Sequence, residues 1–162
     1  MKYKVPDSTR IGHTHLKVSN IKRALEFYQD ILGFEIMQWY GDSAVFLSAG
    51  GYHHHLGLNT WYSKGAAPSP RNSCGLFHVA ILYATRKELA IALQHIMNAN
   101  YPITGASDHG VSEAVYLDDP DGNGIEIYWD RPKSKWPLDS NGNLKMMTEP
   151  LDLEDLLQEA DR

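Results

Sequence analysis

The sequence predicts an α+β fold built from two βαβββ modules whose sheets pair around a cavity. Three observations lead there. A strand-like run carrying a histidine occurs twice, as Ile11-Gly12-His13-Thr14-His15-Leu16-Lys17-Val18 and as Leu76-Phe77-His78-Val79-Ala80-Ile81-Leu82, with His78 65 residues after His13. Each run is followed by a helical pattern and then by further strand-like runs. A buried-looking carboxylate, Glu126, lies in the apolar run Gly124-Ile125-Glu126-Ile127-Tyr128-Trp129 at the end of the second copy.

The first module covers residues 9–62. After its histidine strand, Ile21, Ala24, Leu25, Tyr28 and Leu32 recur at helical spacing, with Ser19 or Asn20 as N-cap and Gly33 placed to end the helix. Three strands are then expected, at Phe34–Met37, Ala44–Leu47 and His54–Leu58. Residues 63–73, rich in Gly, Ala, Pro and Ser, read as a linker. The second module covers 74–132. Its helix shows Leu89, Ala92, Leu93, Ile96 and Met97 on one face, and Thr85 with Glu88 forms a capping box at its start. Strands follow at Tyr101–Ile103, Ala114–Leu117 and Gly124–Trp129. Residues 133–162 are a polar tail with a short amphipathic helix around Leu151, Leu153, Leu156 and Leu157. A single module leaves one apolar sheet face bare, so two modules must pair, within one chain or by exchange between two; a homodimer is compatible with either.

Composition narrows the function classes. A chain of 162 residues, 43% hydrophobic and 22% charged, is an ordinary globular domain. Its net charge of −5 offers no basic footprint for nucleic acid. No apolar run is long enough to span a membrane, and Met1-Lys2-Tyr3-Lys4-Val5-Pro6-Asp7 lacks the apolar core of a signal peptide. The single cysteine, Cys74, rules out an internal disulfide framework and fits a reducing cytoplasm. As a nucleophile Cys74 has no visible thiolate activator, so an inert packed residue is the expectation.

The chemistry-bearing residues are His13, His78 and Glu126. Two neutral imidazoles and one carboxylate suit a divalent metal and leave coordination positions open. Iron(II) fits best, with manganese, zinc or nickel as other occupants. A lone histidine in an apolar run is more often a core or surface residue. Two at equivalent repeat positions, with a carboxylate that would be costly to bury unpaired, call for a joint reason. His15, on the same strand face as His13, is the decoy. Gly57 occupies the first-module position equivalent to Glu126 and leaves a gap where a fourth ligand would stand. The run His53-His54-His55 is either a solvated strand entry or the source of a catalytic histidine, and Tyr116 either caps the core or acts on substrate. The loop Asp118-Asp119-Pro120-Asp121-Gly122-Asn123-Gly124 resembles a fragment of a calcium loop but reads as a turn.

With these segments in view, the chain resembles the vicinal oxygen chelate superfamily, which includes glyoxalase I, fosfomycin-resistance enzymes, bleomycin-binding proteins and type I extradiol dioxygenases. The resemblance covers about residues 9 to 132. It rests on Ile11–Val18, on Ala24-Leu25-Glu26-Phe27-Tyr28-Gln29-Asp30-Ile31-Leu32-Gly33-Phe34, on Phe77-His78-Val79-Ala80 and on Asp118–Tyr128. Within the superfamily it looks most like the catechol 2,3-dioxygenase branch, through Tyr52–Trp61, Asp108–Ala114, Tyr128-Trp129-Asp130-Arg131-Pro132, Trp136-Pro137 and Pro150-Leu151-Asp152-Leu153. The resemblance implies metal ligation by His13, His78 and Glu126. It implies acid–base work by His54, a substrate hydrogen bond from Tyr116 and a substrate-side role for His109. Strand alternation instead puts His55 on the face of Gly57, so the choice between His54 and His55 stays open.

The expected function is ring cleavage of a catechol-like diol by an iron(II)-dependent extradiol dioxygenase. The alternatives are a glyoxalase-like lyase or isomerase, a thiol transferase, or a non-enzymatic small-molecule-binding protein of the same fold. Gly57 disfavours the glyoxalase-like case. Trp39, Trp61, Tyr62 and Trp129 are candidates to pack against an aromatic ring, or simply core.

Overall fold

The computed structural model describes residues 2–162, which divide into two compact units, one ending at Ala67 and the other beginning at Pro68. In the first unit the order is β1 (Thr14–Lys17), α1 (Ile21–Tyr28), β2 (Glu35–Tyr40), β3 (Ala44–Ser48) and β4 (Leu56–Asn59). The four strands form one sheet in the order β1-β4-β3-β2, with β1 and β4 parallel and the other pairs antiparallel. In the second unit β5 (His78–Tyr83), α2 (Arg86–Asn98), β6 (Gly105–Asp108), β7 (Ser112–Asp118) and β8 (Gly124–Asp130) repeat that order. A tail adds β9 (Glu149–Pro150) and α3 (Leu153–Gln158). The second sheet runs β5-β8-β7-β6-β9, again with its first pair parallel. Both units are therefore α+β and βαβββ in order, as the repeat predicts.

Local chemistry explains the elements. Asn20, not Ser19, caps α1, its side chain accepting from the Arg23 amide. The helix buries Ile21, Ala24, Phe27 and Tyr28 and ends sooner than its apolar spacing suggests. Beyond Tyr28 the amides of Asp30 and Leu32 reach back five residues, to Leu25 and Phe27, so the chain widens before the left-handed Gly33 turns it. The Thr85–Glu88 capping box forms as expected, and α2 buries Leu89, Ala90, Leu93 and Ile96. Leu89, Leu93 and Ile96 are fully enclosed, each contributing about 1.5–3 kcal/mol by leaving water.

Two strand boundaries are corrected. The strand expected at Tyr101–Ile103 begins only at Gly105, because Pro102 has no amide to donate and the Tyr101 hydroxyl is drawn to the Asp118 carbonyl (2.8 Å). The strand expected from His54 begins at Leu56, so the alternation argument for His55 does not reach back to either histidine. The Asp118–Gly124 segment is a turn. Asp119 Oδ1 accepts from the amides of Asp121 and Asn123, and its Oδ2 accepts from the Asn123 side chain. The same pattern recurs at Asp139 with Asn141 and Asn143. Each carboxylate is satisfied by its own loop, which accounts for the sequence pattern without a cation. Among the described residues no helix is long and apolar enough to cross a membrane.

Candidate metal and acid–base site

In the second unit β5 and β8 run side by side in register, His78 opposite Gly124 and Ala80 opposite Glu126. Gly124 is required there. A Cβ on it would lie 2.2 Å from the Phe77 carbonyl oxygen and 3.1 Å from the His78 Cβ, so any side chain would push the strands apart. That close approach brings the His78 ring over the third residue of β8, where His78 Nε2 stands 2.9 Å from Glu126 Oε2. Glu126 is buried, and the other ring nitrogen of His78 is buried without a hydrogen-bond partner.

Across the sheet Tyr116 on β7 pairs with Glu126, its hydroxyl 3.4 Å from Glu126 Oε1 and 2.6 Å from His109 Nε2. Burial first, then the Glu126 charge and hydrogen bond, push the Tyr116 phenol up to about 12. It therefore stays protonated and able to donate throughout the neutral range. His78, Glu126, Tyr116 and His109 thus form one continuous polar line on a single sheet face.

The first unit carries the other histidines. His13 is exposed just before β1 and its ring lies 4.4 Å from that of His54, which also packs against Phe46 at 5.0 Å. His54 Nδ1 is 2.8 Å from His53 Nδ1. Desolvation, then the charge of His13 and the neighbouring histidines, lowers the His54 pKa. His55 is differently employed. Its Nδ1 accepts from the Ala49 amide (3.3 Å) and lies 3.1 Å from Ser48 Oγ, while its backbone carries the sheet's last hydrogen bonds to Leu47 and Thr14. His54, then, is the one that sits beside His13. The space over Gly57 is filled: the His15 ring crosses it, and a Cβ there would stand 2.8 Å from His15 Cδ2. No gap for a fourth ligand remains, and His15 is explained as the occupant of that space.

Among the described residues no group of three or more His, Cys, Asp or Glu side chains is arranged to hold a metal. The candidate ligands are carried by different units, His13 by the first and His78 with Glu126 by the second. The pair itself fits a divalent ion. One imidazole nitrogen and one carboxylate oxygen are donors that such an ion takes, and here they face each other at 2.9 Å. Of the aromatic candidates, Tyr62 is exposed, Trp39 and Trp61 are half exposed, and Trp129 is half-buried. Cys74 is exposed rather than packed.

Two features escaped the sequence. Glu113, 5% exposed, is held between Arg86 (2.7 Å) and Arg131 (2.8 Å). Arg86 continues to Asp155 (2.7 Å) and Glu159 (3.2 Å), and Arg131 to Asp108. The second is the approach of the tail to His109, through a backbone carbonyl that has no residue signature. Only the Asp108–Ala114 and Tyr128–Pro132 motifs hinted at either.

A family model described as the Glyoxalase/Bleomycin resistance protein/Dioxygenase superfamily matches residues 10–127. A catechol-2,3-dioxygenase from Bacillus subtilis (strain 168) is 43% identical over 156 residues, which is 96% of this chain and 54% of that protein. The chain thus spans about half the length of that relative. A glyoxalase/dioxygenase structure from Nostoc punctiforme superposes with a TM-score of 0.66 at 17% identity, covering 82% of this chain and 99% of that one. A lactoylglutathione lyase structure from Agrobacterium tumefaciens gives 0.60 at 21% identity, over 76% and 96%.

Proposed function

The chain belongs to the glyoxalase/bleomycin resistance/dioxygenase superfamily, and on that premise we propose that it is an iron(II)-dependent extradiol dioxygenase acting on a catechol-like diol. The observation that carries the proposal is the line His78–Glu126–Tyr116–His109, joined at 2.9, 3.4 and 2.6 Å. It puts two candidate ligands beside a protonated phenol and an imidazole. The 43% identity to a catechol-2,3-dioxygenase supports the choice of reaction.

His13, His78 and Glu126 would hold the metal. Such an ion would supply Lewis-acid chemistry, lowering the pKa of a diol hydroxyl bound to it. The remaining work falls to side chains. Tyr116, whose hydroxyl hydrogen-bonds His109 Nε2 at 2.6 Å in the free protein, turns that proton to a substrate oxygen when a diol is bound. His54, whose pKa is lowered, is a neutral imidazole near pH 7 and takes the proton of the second diol hydroxyl, returning it later in the cycle.

The test is anaerobic reconstitution with iron(II), then oxygen and a panel of catechols, following the yellow ring-fission product and oxygen uptake together. Stoichiometric oxygen uptake with product formation is expected. Turnover of a thiol or α-ketoaldehyde adduct with no oxygen uptake on any diol would replace this reading by the thiol-transferase or glyoxalase-like one.

A further inference from the structure

We propose that the C-terminal tail is a positioning element for the candidate acid–base pair: the backbone carbonyl of Met147 fixes the tautomer of His109 and so directs the Tyr116 proton. His109 Nδ1 lies 2.8 Å from the Met147 carbonyl oxygen. A carbonyl only accepts, so the proton of this bond sits on Nδ1. In the neutral ring Nε2 is then left with a lone pair. Nε2 is 2.6 Å from the Tyr116 hydroxyl, which must be the donor. With its single proton held chiefly by His109 at 2.6 Å, Tyr116 keeps only a long 3.4 Å contact to Glu126. One backbone carbonyl thereby sets the polarity of the line that ends at the candidate ligands.

The contact has two points and is anchored on both sides. The Met147 amide donates back to the His109 carbonyl (3.1 Å), so the two residues exchange hydrogen bonds. Upstream, the Lys145 amide donates to the Pro137 carbonyl (2.9 Å), and the Trp136 indole donates to the Arg131 carbonyl (2.8 Å). Downstream, β9 adds to the edge of β6, Asp108 opposite Glu149 and Ser107 opposite Pro150. Beyond it, α3 and the turn after it hold Arg86 through Asp155 and Glu159. The tail also closes over Gly110, which has φ +74°; a Cβ there would stand 2.8 Å from Pro137 Cγ and 3.1 Å from Met147 Cε.

The tautomer assignment stands on geometry alone; its catalytic meaning rests on the proposed dioxygenase reading. The experiment separates them. The 162-residue protein with 15N-labelled histidine, at pH 8, is read by long-range proton–nitrogen correlation, with the His109 signals assigned by their loss in His109→Asn. The wild type should show a protonated Nδ1 and a bare Nε2. Gly110→Ala and Met147→Pro, two independent ways of loosening the strap, should shift the ring toward the Nε2–H form. Either should lower kcat about tenfold or more, in the range seen when an orienting partner of a site residue is lost. A second readout needs no turnover. The side-chain amide nitrogen of the shorter replacement can stand in for Nδ1, so Met147 amide exchange should stay slow in His109→Asn and speed up in His109→Gln. An Nε2–H ring in the wild type, or an unchanged tautomer in both loosened variants, would overturn the proposal. Absence of diol turnover in the wild type would overturn the reaction and leave the tautomer result standing.

Discussion

The two modules pair their strands in the same register and fill it oppositely. In the first, His15 faces Gly57 across the parallel pair, and Phe46 faces Gly57 across the antiparallel one. In the second the corresponding residues are Ala80, Glu126 and Tyr116. The flanking sequence hardly changes, Ala44-Val45-Phe46-Leu47 against Ala114-Val115-Tyr116-Leu117. Where the first module sets a bulky His15 against a glycine, the second sets a small Ala80 beside a carboxylate. Where the first has a phenyl ring, the second has a phenol. At these matched positions the same framework therefore yields a ring stacked over a glycine in one module and a polar line in the other. Volume is conserved across each pair while chemistry moves from one strand to its neighbour.

Removing the chemistry of the second module should have the largest effect. Glu126→Ala and His78→Ala each delete a proposed ligand. Losing even an outer partner of a metal ligand costs about 10–100-fold in affinity, so elemental analysis of protein purified from metal-supplemented medium should show most of the metal gone. Gly57→Ala, at the matching position of the first module, should keep it. Metal content unchanged in both ligand variants would show that the two faces do not differ in this way.

Next is the ion network around Glu113, whose matching residue in the first module is Ser43, a hydroxyl that accepts from the Trp61 indole (3.2 Å). Glu113 is buried between two guanidiniums, so Glu113→Ala leaves both cations under-compensated and should cost about 3–5 kcal/mol in denaturant unfolding. Ser43→Ala should cost about 1 kcal/mol or less. The same network predicts a pH dependence. The hydrogen bond from Arg131, ahead of any other favourable contact, holds the Asp108 carboxyl below the usual carboxylate range. Its contribution is thus present above the unfolded-state pKa and is lost as pH falls through the depressed folded value. Asp108→Asn should flatten the acid limb of the stability curve and change little at pH 7 to 8 beyond a constant offset.

How much of this was legible follows from how local each signal is. The second helix and its capping box are written in neighbouring residues and stand where the spacing puts them, whereas α1 stops at Tyr28, short of Leu32, and β1 begins at Thr14, one residue after His13. His78 meeting Glu126 was legible because both sit in apolar strands at fixed places in a repeat. The role of Gly57 was half legible: the absent side chain showed in the sequence, but the ring that fills the space did not, since only the β1–β4 register brings His15 there. Which of His54 and His55 stands beside His13 depended on where β4 begins, two residues later than its apolar run suggested. The tail's hold on His109 was invisible, because a backbone carbonyl is the same at every residue.

A smaller effect tests the phenol. Tyr116→Phe makes the second module match Phe46 of the first and strips His109 Nε2 of its donor. One hydrogen bond of this kind is worth about 0.5–1.5 kcal/mol, so stability should fall by about that much. Turnover of a diol should fall by roughly three- to tenfold, with metal content unchanged. The reciprocal Phe46→Tyr, which bears on the site only through its ring contact with His54, should change turnover less. Equal effects of the two changes on turnover would mean that the modules do not divide the chemistry as proposed.

The smallest effect bears directly on the exchange of volume between strands. A Cβ added at Gly57 meets the His15 ring at 2.8 Å, yet His15 is exposed and its ring can swing outward. Gly57→Ala alone should therefore cost about 1 kcal/mol, at the low end of overpacking. In a His15→Ala background the clash is gone, and the backbone at Gly57 is an ordinary strand conformation that alanine accepts. There the same substitution should stabilise by about 0.4–1 kcal/mol, because alanine reduces the entropy of the unfolded chain. A double-mutant cycle by urea unfolding should thus give a coupling of about 1.5–2 kcal/mol between His15 and Gly57, within the range for residues in contact. Equal cost in both backgrounds would show that Gly57 answers to something other than the ring across from it. The parallel between His15–Gly57 and Ala80–Glu126 would then be one of register only.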